Sequence, residues 1–372
     1  MHCLARAQFV SLLLVFASWC PPLAIVASAA QERSPAQMSK AGWDALNAGR
    51  LQEAANAFDE ALRVGPQTPS TLLGAGLVAR LQGRSDDVRR LLVDALRLEP
   101  SFVSASLLLG NVLYQTGDLD GAIDIYQRAL AFNPNHPQLT KQLEAWRKEA
   151  ELHSGFRQTL GEHFTVMFEG PAEAELAGRA VAALEADYWR IGTALSIYPI
   201  GITTVILYTR EQFHDITRSP SWAGGVFDGR IRVPVQGALD NSAEFERVLA
   251  HEFTHALIQS VATRGVPTWL HEGLADCFDG SDGRKKEQQL RQAEARLPLA
   301  RLEGSFEGLT AKEASLAYAE SAVAVRRLLD DAGAPAIANL ITDIGRGTPF
   351  ADAFERNILI SYADFQKKLS EF

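Results

Sequence analysis

Apolar and small positions return every 34 residues between 35 and 136. Gly42, Gly76 and Gly110 are spaced by that period, as are Gly49, Gly83 and Gly117, then Ala61, Ala95 and Ala129, then Pro66, Pro100 and Pro134. The pattern predicts three helix-turn-helix units. Gly49, Gly83 and Gly117 fall in the turns, where backbone freedom is needed. The Ala and Gly positions let paired helices approach closely, and each proline ends a unit because it cannot continue a helix. Copy two carries Leu92 where copies one and three carry Phe58 and Tyr126. Residues 137–152 read as a polar amphipathic helix that caps the array. From about Gly155 the pattern changes. HFTVMFEG (163–170) alternates like a strand, and residues 172–195 have helical periodicity. TTVILY (203–208) is a β-branched strand, followed by a short helix near 212–217. GVFDGRIRVPV (225–235) reads as a further strand or hairpin, and the chain is mainly helical from there on. Strands first and helices later predict α+β.

The third copy, SLLLGNVLYQTGDLDGAIDIYQRALAFNPNHP, shows the unit most clearly and resembles the tetratricopeptide repeat. The large aromatic expected early in the first helix of that unit is missing. The resemblance implies a small stacked solenoid. Its concave groove would take a peptide or partner protein, or the array would only space or shield the second domain; both readings stay open.

Composition narrows the class. A chain of 372 residues has room for two domains, and 47% hydrophobic with 22% charged residues is ordinary for a globular protein. A net charge of -9 argues against nucleic-acid binding, since no basic field would hold a phosphate backbone. Residues 1–30 read as a secretory signal peptide: Arg6, an apolar run from Phe9 to Phe16, then Ala27-Ser28-Ala29-Ala30. That run is broken by Pro21 and Pro22 and is short for a transmembrane helix, and no later stretch reaches spanning length. The expectation is an exported protein, periplasmic or secreted. Two of the three cysteines, Cys3 and Cys20, fall in the signal, leaving Cys277 without an internal disulfide partner. The expected organisation is signal peptide 1–30, repeats with capping helix 35–152, and a second domain 155–372.

Candidate chemistry sits in SAEFERVLAHEFTHALIQSV, a predicted helix with Ser242 as cap and Glu244 and Glu246 in its first turns. His251 and His255, at i and i+4, share one helix face, so both imidazoles can reach one ion. Neutral imidazole suits zinc, Zn2+, and a catalytic site adds a third protein ligand and a water. Glu252 is displaced by about 100° from His251. It stands beside the metal, where it can act as a base. Leu249, Phe253 and Leu257 would bury the helix and hold the histidines. The bland alternative is a buried helix pair carrying a chance match.

The next segment, PTWLHEGLA (267–275), resembles the second motif of gluzincin metallopeptidases, in which a glutamate on the next helix is the third ligand. Sixteen residues separate His255 from Glu272, enough for one helix to end, turn at Gly265 and Pro267, and return. Over roughly residues 160–345 the chain resembles the peptidase MA-like gluzincins fused to tetratricopeptide repeats. The resemblance implies zinc held by His251, His255 and Glu272, with Glu252 as general base in peptide-bond hydrolysis of a peptide or protein substrate. It also makes Asp276 a candidate to orient a ligand histidine, against an ordinary polar helix residue, and Tyr318 a candidate donor to a developing oxyanion, with a packing tyrosine equally open; it implies that the 225–235 strand lines the cleft. If that strand is an edge, it could pair with an extended substrate. His271 is expected at the pocket edge, with a role as third ligand kept open. The rival readings are an exported repeat scaffold with an inactive peptidase-like domain, and a hydrolase acting on a non-protein amide.

Overall fold

The computed structural model describes residues 33–219, 224–235, 241–306 and 308–370. The expected signal segment, with Cys3 and Cys20, lies outside them. Ser34–Phe372 form one compact unit.

The first six helices are three antiparallel pairs: α1 (Pro35–Asn47) with α2 (Leu51–Val64), α3 (Pro69–Leu81) with α4 (Ser85–Leu98), and α5 (Val103–Gln115) with α6 (Leu119–Phe132). The period has a direct packing cause. Phe58, Leu92 and Tyr126, one per unit, are fully buried against the preceding helix. A methyl at Gly42 would lie 2.8 Å from the Phe58 ring, and one at Gly110 2.2 Å from the Tyr126 ring. At Gly76 the gap to the smaller Leu92 is 3.2 Å. Gly49, Gly83 and Gly117 take φ of 74°, 71° and 89° in the turns, a region glycine enters freely.

α7 (Pro137–His153) closes the array through Leu139, Leu143 and Trp146. Trp146 packs on the rings of Tyr114 and Tyr126 at 5.1 and 4.5 Å. This helix is less polar than its sequence suggests, because Glu149 is also buried, on the side facing the sheet.

The sheet has the order β1-β2-β3-β5-β4. Its strands are β1 (Arg157–Leu160), β2 (Phe164–Phe168), β3 (Thr203–Tyr208), β4 (Val226–Phe227) and β5 (Ile231–Pro234). The inner pairs β2/β3 and β3/β5 are parallel, while β1 and β4 are antiparallel edges. Helix α8 (Ala174–Leu195) makes the crossover that a parallel β2/β3 pair requires. In β2, Phe164, Val166 and Phe168 alternate inward. β1 reads RQTL, polar and mostly exposed, and so carries no alternation that would announce it. The 225–235 segment is a hairpin: β5 is interior and β4 is the edge.

α9 (Arg210–Thr217) lies between β3 and β4, and after β5 the described chain is mainly helical: α10 (Ser242–Val261), α11 (Thr268–Phe278), α12 (Gly283–Arg291), α13 (Ala311–Ala332), α14 (Ala334–Gly345), α15 (Phe350–Ile358) and α16 (Tyr362–Ser370). The architecture is α+β. α10 links the two cores of this part: Phe253 meets Phe164 of β2 at 5.4 Å, and Ile258 joins the helical cluster of α11 and α13 to α16. Among the described residues no helix is long and apolar enough to cross a membrane.

Candidate metal centre

α10 is capped by Asn241, whose side chain accepts from the Glu244 amide at 3.2 Å. The expected cap, Ser242, is the first helical residue. Leu249, Phe253 and Leu257 are fully buried, which fixes the roll of the helix about its axis. His251 and His255 then emerge on one face, their ring centroids 4.9 Å apart. α11 returns beside α10, anchored by buried Trp269, Leu270 and Leu274. Gly273 lets it lie against α13 at a distance no side chain would permit, and Glu272 faces the histidines.

The three residues converge. Glu272 Oε2 is 3.5 Å from His251 Nε2 and 3.6 Å from His255 Nε2. Ligand atoms on a tetrahedron with bonds of about 2.0–2.2 Å stand about 3.3–3.6 Å apart; the two distances to Glu272 match that spacing, and all three donor atoms lie within 4.8 Å of one another. Charge agrees. Burial would raise the Glu272 carboxyl, but the two histidines outweigh it and hold the group well below the usual carboxylate range. Burial disfavours the His251 imidazolium, yet Asp279, Glu272 and Glu252 together push its pKa up to about 10 in the metal-free protein. The carboxylates around His251 therefore place negative charge about its ring.

Glu252 stands beside the triad and is buried. Burial raises its carboxyl above the ordinary range, against the pull of His255 and His251. The backbone ahead of β4 covers it: a methyl at Gly225 would lie 2.8 Å from Glu252 Cγ. The site opens into a cleft of about 590 Å³ whose walls include Val226 and Phe227 of edge strand β4, along with Lys286 and Tyr318.

Tyr318 comes from α13, its ring edge-on to Phe306 at 5.5 Å. Burial, with Glu272 and Glu252 nearby, raises its hydroxyl pKa, so the group stays protonated. The Asp276 carboxylate is 2.5 Å from Lys286 Nζ and belongs to a cluster with His251 and Asp279 whose donor atoms lie within 4.8 Å of one another. The carboxylate 3.6 Å from His251 Nδ1 is that of Asp279, which also accepts from Arg247 Nη1 at 2.6 Å. Sequence reasoning passed over Asp279, although it lies seven residues after Glu272 and so two turns along the same face. It also passed over Arg247, one turn before His251 on α10. His271 is at the pocket wall with its Nδ1 3.0 Å from His255 Nδ1. One of these nitrogens must carry the proton and the other accept. Burial, aided by His255, lowers the His271 pKa to about 4. Cys277 points away from the triad, its thiol 3.7 Å from the Ala322 carbonyl oxygen and raised by burial to about 12.

Comparison with known proteins agrees with this architecture. Residues 190–367 match the family described as Peptidase MA superfamily. Residues 39–87 and 82–137 match Tetratricopeptide repeat. No curated protein matches the chain. Among solved structures, the first TPR of Spaghetti (RPAP3) bound to HSP90 peptide SRMEEVD aligns at 17% identity, covering 32% of this chain and 94% of that one, with a TM-score of 0.30. So low a score carries no argument here. The first match falls on the second domain from the end of α8 onward and the second on the repeat array, so the chain joins tetratricopeptide repeats to a stretch that matches the peptidase MA superfamily, with residues 138–189 outside both matches.

Proposed function

We propose that this protein is an exported zinc-dependent peptidase, with His251, His255 and Glu272 as metal ligands and Glu252 as general base. One observation carries the reading. Two Nε2 atoms approach one carboxylate oxygen at 3.5 and 3.6 Å, beside a buried glutamate, at the wall of an open cleft. A bound zinc ion would supply a water of lowered pKa and polarise the scissile carbonyl.

The chain's own groups supply the rest. Glu252 takes the proton from the attacking water and hands it to the leaving nitrogen. Its burial raises its proton affinity, which suits a group that must carry a proton between two partners. Tyr318, kept protonated, donates a hydrogen bond to the oxygen that gains charge. Asp279, near the His251 Nδ1, with Asp276 in the same cluster, holds that ring in place. Edge strand β4 presents its outer side to an extended peptide. The repeats recruit or present a protein partner.

Elemental analysis of wild type and Glu272→Ala tests the ligand set: one zinc per chain is expected to fall to near none. Glu252→Gln should keep its zinc and its fold while losing hydrolysis of an unfolded protein substrate. Unchanged zinc in the first variant, or retained turnover in the second, would falsify the assignment concerned.

A further inference from the structure

The repeats and the cleft are joined by a buried polar cluster that the proposed chemistry does not use. Glu149 comes from α7, Tyr114 from α5, and Arg230 and Arg232 from the β4–β5 hairpin. Arg230 Nη1 donates to Glu149 Oε1 at 2.8 Å, and Arg232 Nη2 donates to the same oxygen at 3.0 Å. The Tyr114 hydroxyl donates to Glu149 Oε2 at 2.7 Å and accepts from Arg232 Nη2 at 2.8 Å. Arg230 Nη2 also donates to the main-chain oxygen of Tyr114 at 3.1 Å. On the sheet side, Arg232 donates to the Tyr208 hydroxyl at 2.7 Å and to Asp228 Oδ2 at 2.9 Å. Arg232 is 0% exposed, Glu149 2% and Arg230 4%. Two guanidinium groups face two carboxylates, the buried Glu149 and the partly exposed Asp228.

Such a cluster adds little net stability over an apolar plug of the same volume, but it admits only one register. The hairpin is held at both ends. At its turn, Gly229 takes φ 102° and sits so close to the end of α5 that a Cβ would be 2.5 Å from the Gln115 oxygen. Just before β4, Gly225 packs on Glu252 with no room for a methyl. Between them, Val226 and Phe227 form the cleft wall. Any movement of the hairpin away from the repeats is therefore a movement of the backbone that covers Glu252.

We propose that the repeat array is a fixed brace for the cleft, with Glu149, Tyr114, Arg230 and Arg232 as positioning residues that set the β4–β5 hairpin against Glu252. The repeats are then part of the enzyme's wall and not a freely swinging arm. The kinetic part of this proposal rests on the peptidase reading; the structural part does not.

The test is hydrogen exchange on the zinc-loaded full chain, comparing wild type, Glu149→Gln and the isosteric Tyr114→Phe. Both variants should speed exchange of the hairpin amides, 226–233, by about tenfold or more. Amides of α1, α2 and α13 should stay within about twofold. In peptide hydrolysis, Tyr114→Phe should raise KM about threefold or more, from the displaced binding wall, and lower kcat about threefold or more, from the less confined Glu252. Hairpin exchange that does not change, or a rise of equal size across the chain, overturns the brace. A KM that stays at the wild-type value while the hairpin loosens overturns its link to the cleft. If the wild type hydrolyses no peptide, the peptidase reading fails separately, and the exchange pattern still decides whether the repeats brace the hairpin.

Discussion

Gly273→Ala puts the packing behind the metal centre to a quantitative test. The glycine lies where α11 crosses α13. An alanine methyl there would be 2.3 Å from the main-chain oxygen of Ser321, 2.8 Å from its carbonyl carbon and 2.5 Å from Val325 Cγ2. The valine can rotate; a helical carbonyl cannot. Real Cβ atoms essentially never come within 3.0 Å of such atoms, so the helices must part by about 0.7 Å or more. Overpacking of this kind costs about 1–3 kcal/mol. Glu272 is the adjacent residue, and its carboxylate moves with α11. A zinc site tolerates ligand distances only to about 0.2 Å, so zinc affinity should fall about 10- to 100-fold. Urea unfolding of the metal-free protein measures the first effect, and competition against a zinc chelator the second. Gly178→Ala, in α8 with nothing within 4 Å of its added methyl, is the control. It should stabilise by up to about 1 kcal/mol through helix propensity. A Gly273→Ala protein with wild-type stability and wild-type zinc affinity would refute the argument that this contact sets the position of Glu272.

Further predictions concern the base and acid stability. Gly225→Ala presses a methyl onto Glu252, whose side-chain atoms are its three nearest neighbours, so zinc content should persist while turnover drops about 100-fold, as expected for a misplaced catalytic group; an active Gly225→Ala enzyme would show that the hairpin does not confine the base. His153 is half-buried, and burial, against the pull of Glu149, lowers its pKa to about 4 from 6.5. Its contribution is complete above pH 6.5 and is lost as pH falls toward 4, because the unfolded chain then takes up a proton that the fold refuses. His153→Gln should remove about 1–3 kcal/mol of the stability difference between pH 7 and pH 4. Denaturant unfolding at the two pH values reads it directly, and an unchanged difference would mean that His153 is protonated in the fold.

The sequence by itself determined the features whose causes are local. A repeat contacts only its neighbours, so the 34-residue period and the turn glycines carry the solenoid without any long-range information. The metal helix is equally local: helical geometry puts His251 and His255 on one face and Glu252 to the side. The 225–235 segment read as a strand or a hairpin, and which half would be the edge depended on what paired with it. β1 was invisible because an exposed edge of four residues needs no hydrophobic alternation.

Only the tertiary structure decided which distant groups meet. Glu272 and the two histidines converge because Gly273 permits α11 to sit close on α13, a contact between helices about fifty residues apart in the chain. Asp279, with a fully buried side chain, lies close to His251 Nδ1, while the Asp276 carboxylate pairs with Lys286, and helical spacing alone does not discriminate between them. The buried cluster of Glu149, Arg230 and Arg232 had no sequence signature at all. A charged residue with a partner 81 or 83 positions away reads like any solvated surface charge. Burial reverses that reading, because a charge removed from water must find its counter-charge wherever the fold brings one. The candidate residues of the centre were therefore legible from helix geometry, while the wall around them, and the attachment of that wall to the repeats, came from packing across the chain.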